Sequence, residues 1–388
     1  MSKEGRLSAP ITAGIVSALV GFSSAFVVVL AGLQGVGAST QQAASGLFAV
    51  SVTMGLASIV LALRTRTPIT VAWSTPGAAL LATTGYVEGG WPAAIGAFIV
   101  TGVLILLTGL IPALGSLIAR IPTSIAQAML AGVLFQLCLG PVTGLADSPL
   151  EVAPVVLVWL LATVFVRRWA APLAFLAAAI VIIVHIGRFG AADALRLVPS
   201  IEAVAPAFTI SGVVGLALPL YLVTMASQNV PGVAIMKSLG YEVPWRASMI
   251  VTGVGTIAGA PLGGHAINLA AISAALAAGP DAGPDRSRRW IASVTGGIAI
   301  IVLGVFSTLL ASLVEKAPVG VIAAVAGLAL LGTFATSLQA ALTDADDRLA
   351  AAVTFLVAAS GISLAGVSSA FWALVAGLIL RLLLRPRA

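Results

Sequence analysis

The sequence predicts an all-α integral membrane protein of fourteen transmembrane segments in two inverted repeats of seven, with the third and tenth segments discontinuous. Three observations predict it: an extremely apolar composition, a one-sided distribution of basic residues among the loops, and two proline-broken motifs that align with each other across the chain. Of 388 residues, 60% are hydrophobic and 8% charged, with a mean hydropathy of +1.14, far outside the range of soluble domains. A spanning helix needs about 20 apolar residues, and the runs here are that long and helix-compatible. A β-barrel would instead alternate over stretches of about ten residues. The pI near 10.2 does not imply a nucleic-acid partner, because the basic residues are scattered among short loops, where they report orientation. A lone Cys138 in an apolar run excludes a disulfide framework and a thiolate metal site. No small-residue cleavage site follows a short apolar core, so the first segment is expected to be retained.

Hydropathy and loop punctuation place the segments at about 11–33, 42–63, 68–84, 92–111, 122–139, 150–166, 172–187, 209–228, 246–259, 261–278, 290–313, 318–337, 349–364 and 368–384. With the amino terminus in the cytoplasm, every Lys and Arg except Arg188, Arg196 and Lys316 falls inside, which places both termini in the cytoplasm. Asp344, Asp346 and Asp347 share an inside loop, a weak exception because acids count little in that rule. This acidic run reads as a solvated turn; a metal-binding enzyme site would need a second acidic cluster opposite it.

The chain repeats itself. Thr67-Pro-Ile-Thr-Val-Ala-Trp-Ser-Thr-Pro-Gly-Ala aligns without a gap on Ala260-Pro-Leu-Gly-Gly-His-Ala-Ile-Asn-Leu-Ala-Ala, pairing Pro68 with Pro261 and Thr75 with Asn268 at an offset of 193. Residues 21–37 lie against 215–231 at an offset of 194. Because each copy holds an odd number of segments, the second enters the membrane from the opposite side. The first repeat is then 1–187, an external linker 188–208, and the second repeat 209–388. Inverted repeats with broken helices in matching places are the pattern of secondary transporters whose site lies at the repeat interface.

The third segment carries Pro68 and Pro76 around β-branched and aromatic residues, so it reads as extended chain followed by a half-helix, with Ser74 as cap and Pro76 in the first turn. The tenth reads likewise, its half-helix running from about Asn268 to Ala278. Both half-helices would start near mid-membrane, where two converging N-termini favour an anion without a formally charged side chain. The alternative is that the breaks only ease packing, through Gly77, Gly263 and Gly264. Apart from Glu151, at the very start of the sixth, no acid falls inside a predicted segment, which argues against carboxylate cation or metal sites. His265 is a candidate proton carrier, or a neutral imidazole satisfying local backbone. In the eighth segment, which is expected to end at Asn-Val-Pro-Gly, Tyr221, Thr224 and Gln228 fall on one helical face. Phe22, Phe26 and Gln34 lie in the matching region of the first segment, the rings as packing or as substrate contacts.

Ile69-Thr-Val-Ala-Trp-Ser-Thr-Pro-Gly-Ala-Ala-Leu-Leu, Ser227-Gln-Asn-Val-Pro-Gly and Gly263-Gly-His-Ala-Ile-Asn-Leu-Ala together resemble the benzoate:proton symporters of the BenE type, over nearly the whole chain. The resemblance implies a uracil-permease-like fold. Segments 1–4 and 8–11 (about 11–111 and 209–313) would form a core domain, and segments 5–7 and 12–14 (about 122–187 and 318–384) a gate domain. Nucleobase relatives carry acids on the eighth and tenth segments, where Gln228 and Ile267 stand here, although Asn268 keeps the following amide. That departure argues against nucleobase recognition through carboxylates.

The expected function is therefore not enzymatic: import of benzoate or a related aromatic carboxylate with protons across the cytoplasmic (inner) membrane, by alternating access, without cofactor or metal. The carboxylate would meet Ser74, Thr75, His265, Asn268 and the backbone near Gly77. The ring would meet Trp73, Tyr221 and Phe26, and Gln228 would orient the substrate. Lipid surrounds the protein, and a homodimer is compatible with it. The rival readings are a carrier of sulfate, bicarbonate or a nucleobase on the same fold, and an anion channel.

Overall fold

A computed structural model describes residues 5–85, 87–189, 196, 198–362, 364 and 367–384. The chain opens with two long helices, α1 (Gly5–Gly35) and α2 (Thr40–Thr65). At 1.5 Å per residue α1 is about 46 Å long, longer than a hydrocarbon core of about 30 Å requires. Ser39 and Gln42 start α2 as a capping box, each side chain accepting the other's backbone N–H. Arg66 ends it with a left-handed φ of 54°, and its guanidinium lies 4.3 Å over the Trp290 ring.

The next residues leave the helical path. Strand β1 (Val71–Trp73) pairs antiparallel with β2 (Ile267–Leu269) in the register Val71↔Leu269, Ala72↔Asn268 and Trp73↔Ile267. Ser74 N–H to Ala266 O and Ala270 N–H to Thr70 O, each 2.9 Å, extend the ribbon. Its outer edges are closed by side chains: Val71 N–H donates to Ser58 Oγ (2.8 Å), Ile267 N–H to Thr256 Oγ1 (3.1 Å) and Leu269 N–H to Asn229 Oδ1 (2.9 Å). Lipid offers no such partners, so extended backbone survives here because protein surrounds it. The register is symmetric about Ala72↔Asn268.

Helix α3 (Thr75–Thr84) follows β1. In order come α4 (Gly90–Leu110), α5 (Pro112–Ala119), α6 (Thr123–Cys138), α7 (Gly140–Asp147), α8 (Pro149–Phe165) and α9 (Ala170–Phe189). Then α10 (Ile210–Gly212), α11 (Leu218–Thr224) and α12 (Val230–Ser238) run on through two π turns, Val213–Ala217 and Met225–Asn229. Here the structure corrects the expected end at Asn-Val-Pro-Gly. The Val230 N–H reaches back to Met225 O, one residue further than in an α-helix, and the wider turn lets Pro231 pass without stopping the helix.

The second half continues with α13 (Trp245–Gly259), α14 (Ile272–Ala278) after β2, α15 (Trp290–Gly304), α16 (Ser307–Glu315), α17 (Val321–Leu342), α18 (Arg348–Ala359) and α19 (Ser369–Leu384). The half-helix expected from Asn268 begins at Ile272 instead, because ribbon bonds hold residues 267–270 extended. A bend of 52° separates the helical run Arg286–Gly304 from α16. Among the described residues, seven helices are long and apolar enough to cross a membrane, or eight if that bent pair is one span. The protein is thus an all-helical, multi-pass membrane protein.

The helices pack in two sets. α4 lies against α13, α2 against α15, and α1 against α15 and α3; separately, α6 packs on α17 and α18, and α18 on α19. Two of these contacts use facing glycines. A Cβ at Gly55 of α2 would lie 2.6 Å from Gly297 O of α15, and one at Gly253 of α13 only 2.6 Å from the Leu106 N of α4. Gly253→Val is accordingly expected to destabilise the protein by about 1–3 kcal/mol or more, measured as a lower thermal unfolding midpoint in detergent; an unchanged midpoint would contradict this packing.

Residues 198–208 are pinned along the surface rather than hanging between halves. Ser200 N–H donates to Thr308 Oγ1 (2.8 Å), Glu202 N–H to Ser45 Oγ (3.0 Å), Val204 N–H to Pro261 O (2.8 Å) and Ala207 N–H to Pro92 O (2.9 Å). Residues 190–195 and 197 of the expected linker lie outside the described residues. The acidic turn also differs from expectation at one position. Asp344 and Asp346 are exposed, but Asp347 is buried and accepts from Ser124 Oγ and Arg381 Nε, each at 2.6 Å. That carboxylate fastens α6, α18 and α19 at one end.

Candidate functional site

A cavity of about 170 Å³ lies where β1, the starts of α3 and α14, and helices α1 and α15 converge, closed on its far side by α6 and α17. It therefore sits between the two helix sets. α3 begins here because Ser74 caps it: its Oγ accepts the Gly77 N–H at 3.1 Å, and Pro76 occupies the first turn. Thr224 Oγ1 donates to the same Ser74 oxygen at 2.8 Å. The other short helix, α14, starts from Ala271 with no side-chain cap. Its first N–H groups therefore lack the partner that Ser74 supplies to α3, and Ser273 in its first turn lines the cavity.

Trp73, Thr75 and Gln228 line this space. Trp73 is anchored by its N–H to Met54 Sδ (3.1 Å) and by an edge contact with Phe22 at 5.4 Å. Ser74 lies directly behind, fully buried. Gly77 packs against Leu220, and its N–H is already taken by Ser74. Phe26 does not line the cavity; it stacks on Phe22 at 5.7 Å and meets Phe175 of α9 edge-on at 4.7 Å. The Tyr221 hydroxyl bonds to that of Thr108, and Tyr221 does not line the cavity, as Gln228 does. The π turn between Tyr221 and Gln228 takes more residues per revolution than an α-helix, so the expected common face is broken.

His265 and Asn268 are also absent from the cavity wall. Both are buried in the ribbon region, where Asn268 Nδ2 donates to Leu269 O at 2.8 Å and leaves its Oδ1 without a partner among the described residues. His265 Nδ1 lies 3.1 Å from Ala266 O. A carbonyl can only accept, so Nδ1 carries the proton in this tautomer and Nε2 is a bare acceptor, without a partner among the described residues. The Phe98 ring lies edge-on to it at 6.5 Å. The same Ala266 carbonyl takes the Ser74 N–H at 2.9 Å, so the imidazole and the α3 cap share one acceptor.

Sequence reasoning missed the hydroxyl and small-residue wall. Ser17, Gly21 and Ser24 of α1 fall at i, i+4 and i+7 and all face the cavity; that spacing was a signal available in the sequence. Ser17 Oγ donates to Ser273 O at 3.2 Å, tying α1 to α14. Thr70 and Ser293 exchange a hydroxyl bond of 3.1 Å beneath β1. Among the described residues, no side chain facing the cavity bears a charge. The chemistry on offer is thus a small, largely apolar space with an indole on one side and hydroxyls, an amide and an uncapped helix start on the other.

The family model described as benzoate membrane transport protein (BenE) matches residues 6–383. Inner membrane protein YdcO of Escherichia coli (strain K12) is 38% identical over 365 residues, covering 94% of this chain and 93% of the relative. The benzoate membrane transport protein of Acinetobacter baylyi (strain ATCC 33305 / BD413 / ADP1) is 32% identical over 389 residues, 100% of this chain and 98% of the relative. Among solved structures, the transmembrane domain of the cyanobacterial bicarbonate transporter BicA matches with a TM-score of 0.61 at 16% identity, covering 96% of this chain and 97% of that one. The murine Slc26a9 anion transporter in its inward-facing state matches at 0.64 and 14% identity, covering 99% of this chain and 69% of the other. At these identities the structural matches establish the fold alone.

Proposed function

Because the chain belongs to the benzoate membrane transport protein family, whose model spans residues 6–383, we propose that it is a secondary transporter importing benzoate or a related aromatic carboxylate with protons across the inner membrane. The observation that carries this reading is the uncharged cavity of about 170 Å³ between the helix sets. An apolar protein cavity of about 150 Å³ accommodates benzene, so one aromatic ring fits here, beside Trp73. Its carboxylate is received by Thr75, Ser273 and the uncapped start of α14, with Gln228 as a side-chain donor. The apolar wall leaves a fully hydrated inorganic anion without replacement for most of its water, which favours an aromatic acid over sulfate or bicarbonate.

The fourteen-segment inverted-repeat architecture is part of this proposal. The symmetric ribbon supports it, as does the mirrored packing of α2 on α15 and α4 on α13, since the second and ninth segments exchange with each other, as do the fourth and eleventh. A core of about 11–111 and 209–313 moving against a gate of about 122–187 and 318–384 is supported by the two packing sets, with the cavity on their boundary. The distribution of Lys and Arg supports cytoplasmic termini, and the cavity lies against the middle of α1.

The test is uptake of labelled benzoate into proteoliposomes under an imposed proton gradient. Accumulation is expected, together with acceleration by benzoate loaded inside, which a channel would not give. Uptake blocked by uracil or sulfate but indifferent to benzoate would overturn the substrate. His265, whose Nε2 has no partner among the described residues and whose Nδ1 shares the Ala266 carbonyl with the Ser74 N–H, is the proton carrier in this scheme. His265→Ala is expected to lose gradient-driven accumulation while keeping benzoate–benzoate exchange; undiminished accumulation would remove His265 from the proton path.

A further inference from the structure

A second cavity, of about 370 Å³, lies nearer the amino-terminal end of α1, and Leu276 of α14 lines both spaces. One face of α1 continues from one to the other, through Ala9 and Ala13 to Ser17. The two differ in charge. Among the described residues, the substrate cavity is lined by no charge, whereas the second is lined by one cation, Arg168, and one anion, Asp281. Arg168 belongs to the turn Arg167–Trp169 that leads into α9; Asp281 belongs to the turn Pro280–Ala282 that follows α14. They meet in a single contact, Arg168 Nη1 to Asp281 Oδ2 at 3.7 Å, with side chains 59% and 62% exposed.

We propose that this cavity is a second carboxylate-binding station on the cytoplasmic side of the substrate cavity, where Arg168 exchanges Asp281 for the carboxylate of the passing substrate. The inference rests on the reading of the inner cavity as an aromatic-carboxylate site. An exposed ion pair held through one long contact contributes little, so it does not lock the mouth. Among the described residues it leaves most guanidinium donors without a partner, and a planar fork suits a carboxylate in two parallel hydrogen bonds. Asp281 has a defined role in the exchange: it is the internal competitor that reclaims Arg168 and expels the anion. Without it, the station would hold what it should release. Because the pair joins the turn before α9 to the turn after α14, each exchange also breaks a contact between the two sides of the path.

The experiment measures the benzoate concentration that half-saturates transport from the cytoplasmic face and from the external face, in oriented membrane vesicles. Arg168→Gln is expected to raise the cytoplasmic value about three- to tenfold, and Asp281→Asn to lower it by a similar factor, with the external value unchanged. Arg168→Lys should fall between wild type and Arg168→Gln, since a point charge attracts but does not fork. The gain of affinity in Asp281→Asn cannot come from misfolding. Arg167→Gln, an exposed neighbour outside the cavity, should behave as wild type; an effect equal to that of Arg168→Gln would mean diffuse surface charge and overturn the station. Normal wild-type transport with unchanged cytoplasmic values in both Arg168→Gln and Asp281→Asn would overturn the station alone. A wild-type protein that carries no benzoate would overturn the substrate reading and the station with it.

Discussion

Gly21→Leu is expected to give a folded protein that no longer takes up benzoate. Gly21 lines the cavity between the helix sets, and a Cβ built there meets nothing within 4 Å, so a larger side chain grows into the space that the proposed substrate ring would fill. The helix itself gains, since replacing an interior Gly of a helix removes a penalty of about 1 kcal/mol. The two effects have opposite signs on different readouts. The unfolding midpoint should hold or rise, while uptake should fall at least about tenfold, the change that a loss of 1.4 kcal/mol of binding produces. Gly187 is equally unobstructed but remote from the cavity, so Gly187→Leu should fold and transport normally. Full uptake by Gly21→Leu would mean that the substrate binds elsewhere.

Ser74→Ala acts through the opposite route, by stripping partners from buried groups. One oxygen serves both the Gly77 N–H and the Thr224 hydroxyl, and Ser74 is fully buried, so water cannot replace it. Losing this oxygen orphans two buried donors, the capped Gly77 N–H and the Thr224 hydroxyl, at about 1–3 kcal/mol each. A marked fall in thermal midpoint is expected, together with loss of uptake, because the start of α3 forms part of the cavity wall. Thr224→Val removes one of the two donors beforehand. In that background Ser74→Ala should cost measurably less than in wild type; strictly additive losses would contradict the shared hydrogen bond.

The broken third and tenth segments were legible because proline and β-branched residues act locally, and local chemistry decides where a helix cannot continue. Their relative register was not. It is set by Ser58, Thr256 and Asn229, which hold the ribbon from three other elements, and no alignment of the two motifs contains that information. The site shows the same division. Trp73 and Thr75 follow from the predicted half-helix start, whereas Tyr221 was placed by α-helical geometry that the Met225–Asn229 π turn replaces. Asn268 was assigned to a helix start that lies at Ile272, further along the chain, while His265 was read in the extended stretch before it. The wall of α1 carried a readable stripe at Ser17, Gly21 and Ser24, but such residues in apolar helices more often mark helix packing, and only the cavity distinguishes the two uses.

The ribbon also sets an order of assembly. Strand β1 finds its backbone partners in residues 266–270, which leave the ribosome long after β1 itself. Until they arrive, the backbone of residues 70–74 has side-chain donors and acceptors on one edge only, and each unmet group in hydrocarbon costs several kcal/mol. The first half of the chain therefore reaches the bilayer with an open seam. Such long-range pairing is slow to form, so the seam closes late, and a chain truncated before residue 266 would leave the membrane-insertion machinery with a segment that cannot settle in lipid.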